Sequence, residues 1–362
     1  MLSVFERGVV LTSKVAVIEF DEDVAESFKQ ALRLVGGIEN LNTPKRSVVV
    51  KVGVFSHKAE NHTSLNMVNA IINAFDKAPN IFLAESDNYQ GTGLERLQIW
   101  KNLFAEQVVP FNLSDDTDTR EVKLANQEMK LSHALFKPNV FVNTHILRSF
   151  KKGSILKNLF GCIPTPKKAK FHKDEIFYPL LADIYEAIGG IDLSVMDGTY
   201  LWRGAGDLRV RINTLLVGRD AVAVETVGAT LAGLKPEKMP VIQEFVKRGL
   251  GEGDLKNIET VGTSLESLRE KFVLAAKSLE KTWRARGGAP KIWAPAIDSL
   301  IQQGFFKLPN KRTRVDVAKA LEARAISTKG NASIIANTLT RRAKKGVLKA
   351  AKGPAGWVYW TE

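Results

Sequence analysis

Short apolar runs rich in β-branched residues alternate along the chain with stretches whose apolar residues recur at helical spacing. Val15–Phe20 reads as a strand, and 23–35 reads as a helix closed by Gly36 and Gly37. Ser47–Lys51 is a second strand, with the unbroken apolar character of one covered on both faces. Thr63 stands where it would cap a helix running to Phe75, with Met67, Ile71 and Phe75 on one face. Asn80–Glu85 predicts a third strand, followed by a helix near 93–103. Further strands are expected at Val140–Asn143, Leu193–Asp197 and Ile212–Val217, and helices at 220–231 and 240–247. This alternation predicts an α/β fold, a layered, mostly parallel sheet with flanking helices.

The pattern changes after residue 285. A linker is read at 287–290. Ala296–Phe306 reads as a helix stopped by Gly304, and Thr313 would cap a second with Val317, Ala320 and Leu321 inward. A turn at 327–330 leads into a third helix over 331–345. On it Ile335, Leu339 and Arg342 share one side, while Asn337, Arg341, Lys344 and Lys345 form a polar stripe. A turn at Gly353–Gly356 then joins two strand-like segments, the second holding Trp357, Tyr359 and Trp360. These aromatics are expected inside, because so small a domain needs them to close its core. Three helices and a hairpin resemble a winged helix-turn-helix, so a small C-terminal winged-helix domain is expected at 286–362, after a body at 1–285.

Charge sharpens that division. Residues 286–362 hold 15 Lys+Arg and 4 Asp+Glu, a net +11, whereas 1–285 hold 37 and 35, a net +2. The strongly basic module points to nucleic acid as its partner. No apolar run approaches the length of a membrane span, and the opening residues lack a signal-peptide core, so a cytoplasmic location with no membrane partner is expected. Cys162 is the only cysteine, which excludes an internal disulfide and an iron–sulfur cluster built within one chain. A divalent metal would need His and carboxylate ligands, and that expectation stays open.

Ligands of open α/β sheets bind beyond the carboxyl ends of the strands. Several strands here end in polar groups: Lys51 with His57 beyond it, Glu85, Asn143 with His145, and Asp197 followed by Gly204 and Gly206. Turn chemistry explains any one of them; their repetition favours a site. The densest segment is 151–172. There Ser154 would cap a short helix presenting Lys157 and Asn158, and its N-terminal amides with Lys157, Lys167 and Lys168 would suit a phosphate or carboxylate. Lys51 and Lys157 are expected to hold the anion. His172 would act as acid/base, and Asp197 would orient it or bind a metal. The candidate catalytic residues are therefore His172, Asp197 and Lys157. The candidate ligand-binding residues are Lys51, His57, Glu85, Asn143, Asn158, Gly204 and Gly206.

Ser154–Cys162, with His172 downstream, resembles the domain-of-unknown-function 362 family. Val48–Lys51, Asp192–Gly198, Val217–Glu225, Met239–Ile242 and Gly249–Asp254 extend the resemblance over most of 10–265. The resemblance implies the fold and the position of the site. The chain departs from the family's pattern at His145 and Arg148, where a Pro and then a Lys are usual, and at Glu225, where an Asp is usual. It also lacks the cysteine-rich insert of many members, so no iron–sulfur cluster is expected.

In the module, Asn337 and Arg341 are the candidates for base edges. Lys344 and Lys345 continue that stripe, and Lys349 and Lys352 would meet phosphates. Three functions fit: a body acting on a small anionic substrate, a ligand-responsive DNA-binding regulator, or an RNA-acting enzyme targeted by its basic tail.

Overall fold

A computed structural model of the chain describes residues 13–204, 206–285, 290–326, 328, 332–354 and 356–362. The opening segment, residues 287–289 of the linker, Ala205, most of the turn at 327–330 and Asn331 lie outside the described residues. The chain divides into two compact units, Met1–Leu279 and Glu280–Glu362.

The first unit runs β1 (Ser13–Glu19), α1 (Val24–Leu34), β2 (Val48–Lys51), α2 (Leu65–Ala74), β3 (Ile81–Glu85), α3 (Gly93–Leu97), β4 (Val108–Asn112), β5 (Thr119–Leu124), β6 (Gln127–Ser132), β7 (Val140–Ser149), α4 (Ile155–Asn158), α5 (Asp174–Ile188), β8 (Leu193–Arg203), β9 (Arg209–Gly218), α6 (Ala221–Leu231), α7 (Pro240–Lys247) and β10 (Ile258–Gly262). α8 (Leu265–Ala285) follows. An eight-stranded sheet has the order β10-β1-β9-β8-β7-β2-β3-β4. It is mixed: β9 runs antiparallel to both β1 and β8, while the other pairings are parallel. The reason is local. A tight hairpin joins β8 to β9 where a parallel pair would need a long crossover.

Strand alternation sorts the side chains onto two faces. Val48, Val50 and Val52 of the β2 region pack with Val140, Val142, Val195, Leu215 and Val217 against Phe28 of α1 and Met67 and Ile71 of α2. Each such buried side chain contributes roughly 1.5–3 kcal/mol. Lys51 and Asn143, paired across β2 and β7, point to the other face, where α4 covers them. Asp23 caps α1 by accepting the Glu26 N–H at 2.9 Å. The cap of α2 is Ser64, which accepts from Met67 N–H; Thr63 instead accepts the Gly53 N–H. β7 continues well past Asn143, through His145 and Arg148.

The second unit contains α9 (Pro290–Gln302), β11 (Arg312–Thr313), α10 (Arg314–Glu322), α11 (Ala332–Lys344), β12 (Lys349–Gly353) and β13 (Gly356–Trp360). Its three strands form an antiparallel sheet in the order β11-β13-β12. Thr313 and Asp316 make a capping box at the start of α10. Trp293, Ile297, Phe306, Val317, Leu321, Ile335, Leu339 and Tyr359 share one core. Arg342, on the inner side of α11, is held by both carboxylate oxygens of Asp298 at 2.6 Å. One aromatic departs from expectation. Tyr359 is buried, but Trp357 is 55% exposed, because it lies beyond the edge of this small core.

Among the described residues, no helix is long and apolar enough to cross a membrane.

Candidate functional site

Lys51 ends β2 and Glu85 ends β3, on adjacent parallel strands. The fully buried Lys51 Nζ donates to Glu85 Oε2 at 2.8 Å, Val52 O at 2.9 Å and Asn158 Oδ1 at 3.2 Å. All three ammonium protons therefore have acceptors. Glu85 Oε1 accepts from Ser86 N–H at 2.9 Å and lies 3.3 Å from the Arg96 guanidinium. Asn158 Nδ2 donates towards Asn143 Oδ1 at 2.7 Å, and Asn143 Nδ2 donates to Ile155 O at 2.8 Å. This polar network pins α4 over the end of β2 and the middle of β7. Gly161 belongs to it for a steric reason: a Cβ there would lie 2.5 Å from Lys51 Nζ and 2.7 Å from Glu85 Oε1.

Next to the network lies a second group, rich in cations. Arg148 Nη2 sits 2.9 Å from His145 Nε2, and a guanidinium only donates, so His145 accepts there. Its Nδ1 then carries the proton, towards Ile146 O at 3.2 Å. Burial, then Arg148 and Lys157, holds the His145 pKa well below the ordinary imidazole value, consistent with a neutral ring. Arg148 is 7% exposed and its Nε has no hydrogen-bond partner among the described residues. Burial lowers its pKa to about 10, against the pull of Glu225. Glu225 is committed elsewhere: its carboxylate accepts Ser154 N–H at 2.9 Å and Leu156 N–H at 3.0 Å. Burial pushes the Glu225 pKa up.

Lys157 is part-buried and makes no hydrogen bond or ion pair among the described residues; its ammonium lies 6.0 Å from the Phe150 ring centre. Burial first, and then Arg148, Lys51 and Lys152, lower its pKa to about 7. His172 stacks on Phe177 at 5.5 Å with its edge to solvent. Partial burial, then Lys157 and Lys152, lowers its pKa.

The structure thus brings together Lys51, Glu85, Asn143 and Asn158 in one network, with Lys157 and His172 beside it. Lys168 is buried with its Nζ 2.6 Å from Ser86 Oγ, and burial lowers its pKa to about 8. Lys167 is exposed. Burial pushes the nearby Cys162 thiol up to about 12.

Other expected members stand apart. Asp197 shares a face with Val195, opposite Lys51. Its carboxylate accepts Ser64 N–H at 2.7 Å, Thr199 N–H at 2.9 Å and the Thr199 hydroxyl at 2.7 Å. It borders a separate cavity of about 230 Å³ with His62, Tyr200, Trp202 and Arg209. His57 is exposed on the loop after β2. Gly204 and Gly206 lie in the β8–β9 hairpin, where Gly204 takes φ +58° and Gly206 O accepts from Asn61. That context is a strand turn, with no helix start for a phosphate. The N-terminal amides of α4, expected to face an anion, are instead capped by Glu225. Among the described residues, no group of three or more His, Cys, Asp and Glu side chains converges to hold a metal.

A family model described as "Domain of unknown function (DUF362)" matches residues 48–230, just over half of the chain. The chain belongs to the DUF362 family. Every residue of the network and of the cation group falls inside the matched span. No curated protein and no solved structure matches the chain. Within this DUF362 domain, His145, Arg148 and Lys157 form the cation group, with the Glu225 carboxylate nearby. His145 and Arg148 carry a signal visible in sequence, since they are the ionisable residues of a strand that is otherwise apolar or neutral.

Proposed function

We propose that the protein joins a small-anion site in its DUF362 domain to a nucleic-acid-binding winged helix at its C-terminus. The observation that carries the first half is the pairing of Arg148 and Lys157. Arg148 is buried with an unpartnered Nε, Lys157 has no acceptor, and the nearby carboxylate of Glu225 is occupied by backbone amides. A carboxylate or phosphate between Arg148 and Lys157 would favour the protonated form of Lys157 and satisfy both donors. In this reading Arg148 and Lys157 hold the anion, and neutral His145 orients Arg148. His172 at the rim is the group for proton transfer to a bound substrate. Lys51, Glu85, Asn143 and Asn158 form the frame that positions α4. Asp197, His57 and the hairpin glycines have no part.

For the second half, the order helix, strand, helix, helix, strand, strand supports a winged helix. So does α11, whose Asn337, Thr340, Arg341 and Lys344 are exposed while Ile335 and Leu339 are buried. Asn337 and Arg341 would read base edges, and Lys344, Lys345, Lys349 and Lys352 would contact phosphates.

Two titrations test the proposal. Inorganic phosphate and small dicarboxylates should bind the full chain, and Arg148→Met should abolish that binding. Labelled DNA and RNA should bind with an affinity that falls steeply between roughly 50 and 200 mM salt. A chain ending at residue 285 should lose that binding; unchanged affinity and salt slope would refute the tail assignment. DNA affinity that changes with the small anion selects a regulator, whereas a strong preference for RNA selects an RNA-acting enzyme.

A further inference from the structure

Trp357 is a large apolar side chain in an unusual place for so small a unit. It is 55% exposed and has no ring or cation partner among the described residues. Trp360, by contrast, is half-buried with Lys311 Nζ 4.8 Å over its ring. The β12–β13 register explains the exposure. Ala350 stands opposite Tyr359, and Lys352 opposite Trp357. Alternation places all four on one face of the hairpin. Ala350 and Tyr359 pack into the core, and Trp357 and Lys352 lie one step beyond its edge, beside the turn. Lys352 is exposed as well. The hairpin therefore exposes an indole and, at the position paired with it, a lysine.

We propose that Trp357 and Lys352 form a binding site for an unpaired nucleobase and its adjoining phosphate. The inference rests on the nucleic-acid reading of this unit and adds a preference to it. An indole face accepts any base by stacking, but a base inside a duplex has both faces covered. The partner must therefore offer a free base, at a single-stranded overhang, a frayed end or a bulge. The unit's net +11 and the adjacent ammonium favour a nucleic acid over an apolar protein surface.

The test uses the full chain and three probes, each as DNA and as RNA: a blunt duplex, the same duplex with a single-stranded overhang, and the single strand. Trp357→Ala should weaken binding to the overhang and single-strand probes about 5- to 150-fold, the range for one base–aromatic stack. Blunt-duplex affinity should hold within about twofold, and the salt slope should not move, because stacking releases no counterions. Trp357→Phe should retain most of the affinity. Lys352→Ala should instead lower the slope by about 0.7–0.9, the value of one phosphate contact. Thermal unfolding of Trp357→Ala should match wild type, so that lost binding is not lost fold. Trp357→Ala that binds every probe like wild type, or weakens all of them equally, overturns the inference while the nucleic-acid reading stands. A wild-type chain that binds none of the probes overturns both.

Discussion

Replacing Lys157 by Met should make the protein more stable, by an amount that depends on pH. In the folded chain the Lys157 pKa is about 7, and on unfolding it returns towards 10.5. Between those values the unfolded chain binds more protons than the folded one, so wild-type stability rises with pH across that window. Below about pH 7 both states hold the proton and the whole penalty is present; above about pH 10.5 neither does and it is gone. Counted in full at about 1.36 kcal/mol per pH unit, the shift amounts to about 5 kcal/mol. Lys157 keeps part of its surface in water, and retained hydration reduces this to about 2 kcal/mol. Methionine preserves the apolar stem beside Phe150 while removing the charge. Urea unfolding followed by circular dichroism should show Lys157→Met more stable by about 2 kcal/mol at about pH 6, with the two chains converging near pH 10. A variant that is less stable than wild type, or whose advantage does not change with pH, would refute the reasoning.

Gly161→Ala places a methyl 2.5 Å from Lys51 Nζ and 2.7 Å from Glu85 Oε1, both buried and held by other bonds. It should cost about 1–3 kcal/mol in urea unfolding, and a change under about 0.5 kcal/mol would mean the network is slack. Asp197→Ala strands the amides of Ser64 and Thr199 and should cost about 1–3 kcal/mol. Because Asp197 lies on the opposite face from Lys51, this variant should leave small-anion affinity unchanged in calorimetric titration; lost affinity would return Asp197 to the site.

Much of the frame was legible because local chemistry dictates it. The triple valine of β2 and the Pro240 start of α7 state their own elements. β5 and β6 were not, because each offers only two apolar residues, Val122 and Leu124 or Met129 and Leu131, too short an alternation to mark a strand. The sequence reading of β7 ended early at Asn143 for a related reason. Beyond it one face meets a polar cluster instead of a core, so His145 and Arg148 break the pattern that marks a strand. The strand-end rule grouped Asp197 with Lys51, Glu85 and Asn143, but Asn143 and Asp197 lie inside longer strands and Asp197 makes its bonds elsewhere; the rule carries no side-chain direction. Asp197 keeps in step with Val195 of the core face and bonds Ser64 and Thr199, whereas Glu85, in step with Leu83 of that face, still reaches Lys51 from the end of its strand. Long-range partners had no local signal. Nothing near Ser154 announces that Glu225, from α6, caps α4. Nothing near Gly161 shows that Lys51 and Glu85 leave no room for a Cβ.

The central claim is that Lys157, kept partly neutral by its surroundings, gains a proton when a small anion settles beside Arg148. Calorimetric titration of the full chain with succinate at about pH 8, in two buffers of different ionisation enthalpy, counts the protons taken up. A free-state pKa of about 7 leaves Lys157 about nine-tenths neutral at that pH, and a bound anion favours the charged form. The account predicts uptake of between about half and one proton per anion bound, and none in Lys157→Met. Binding without proton uptake, or uptake that persists in Lys157→Met, would contradict it.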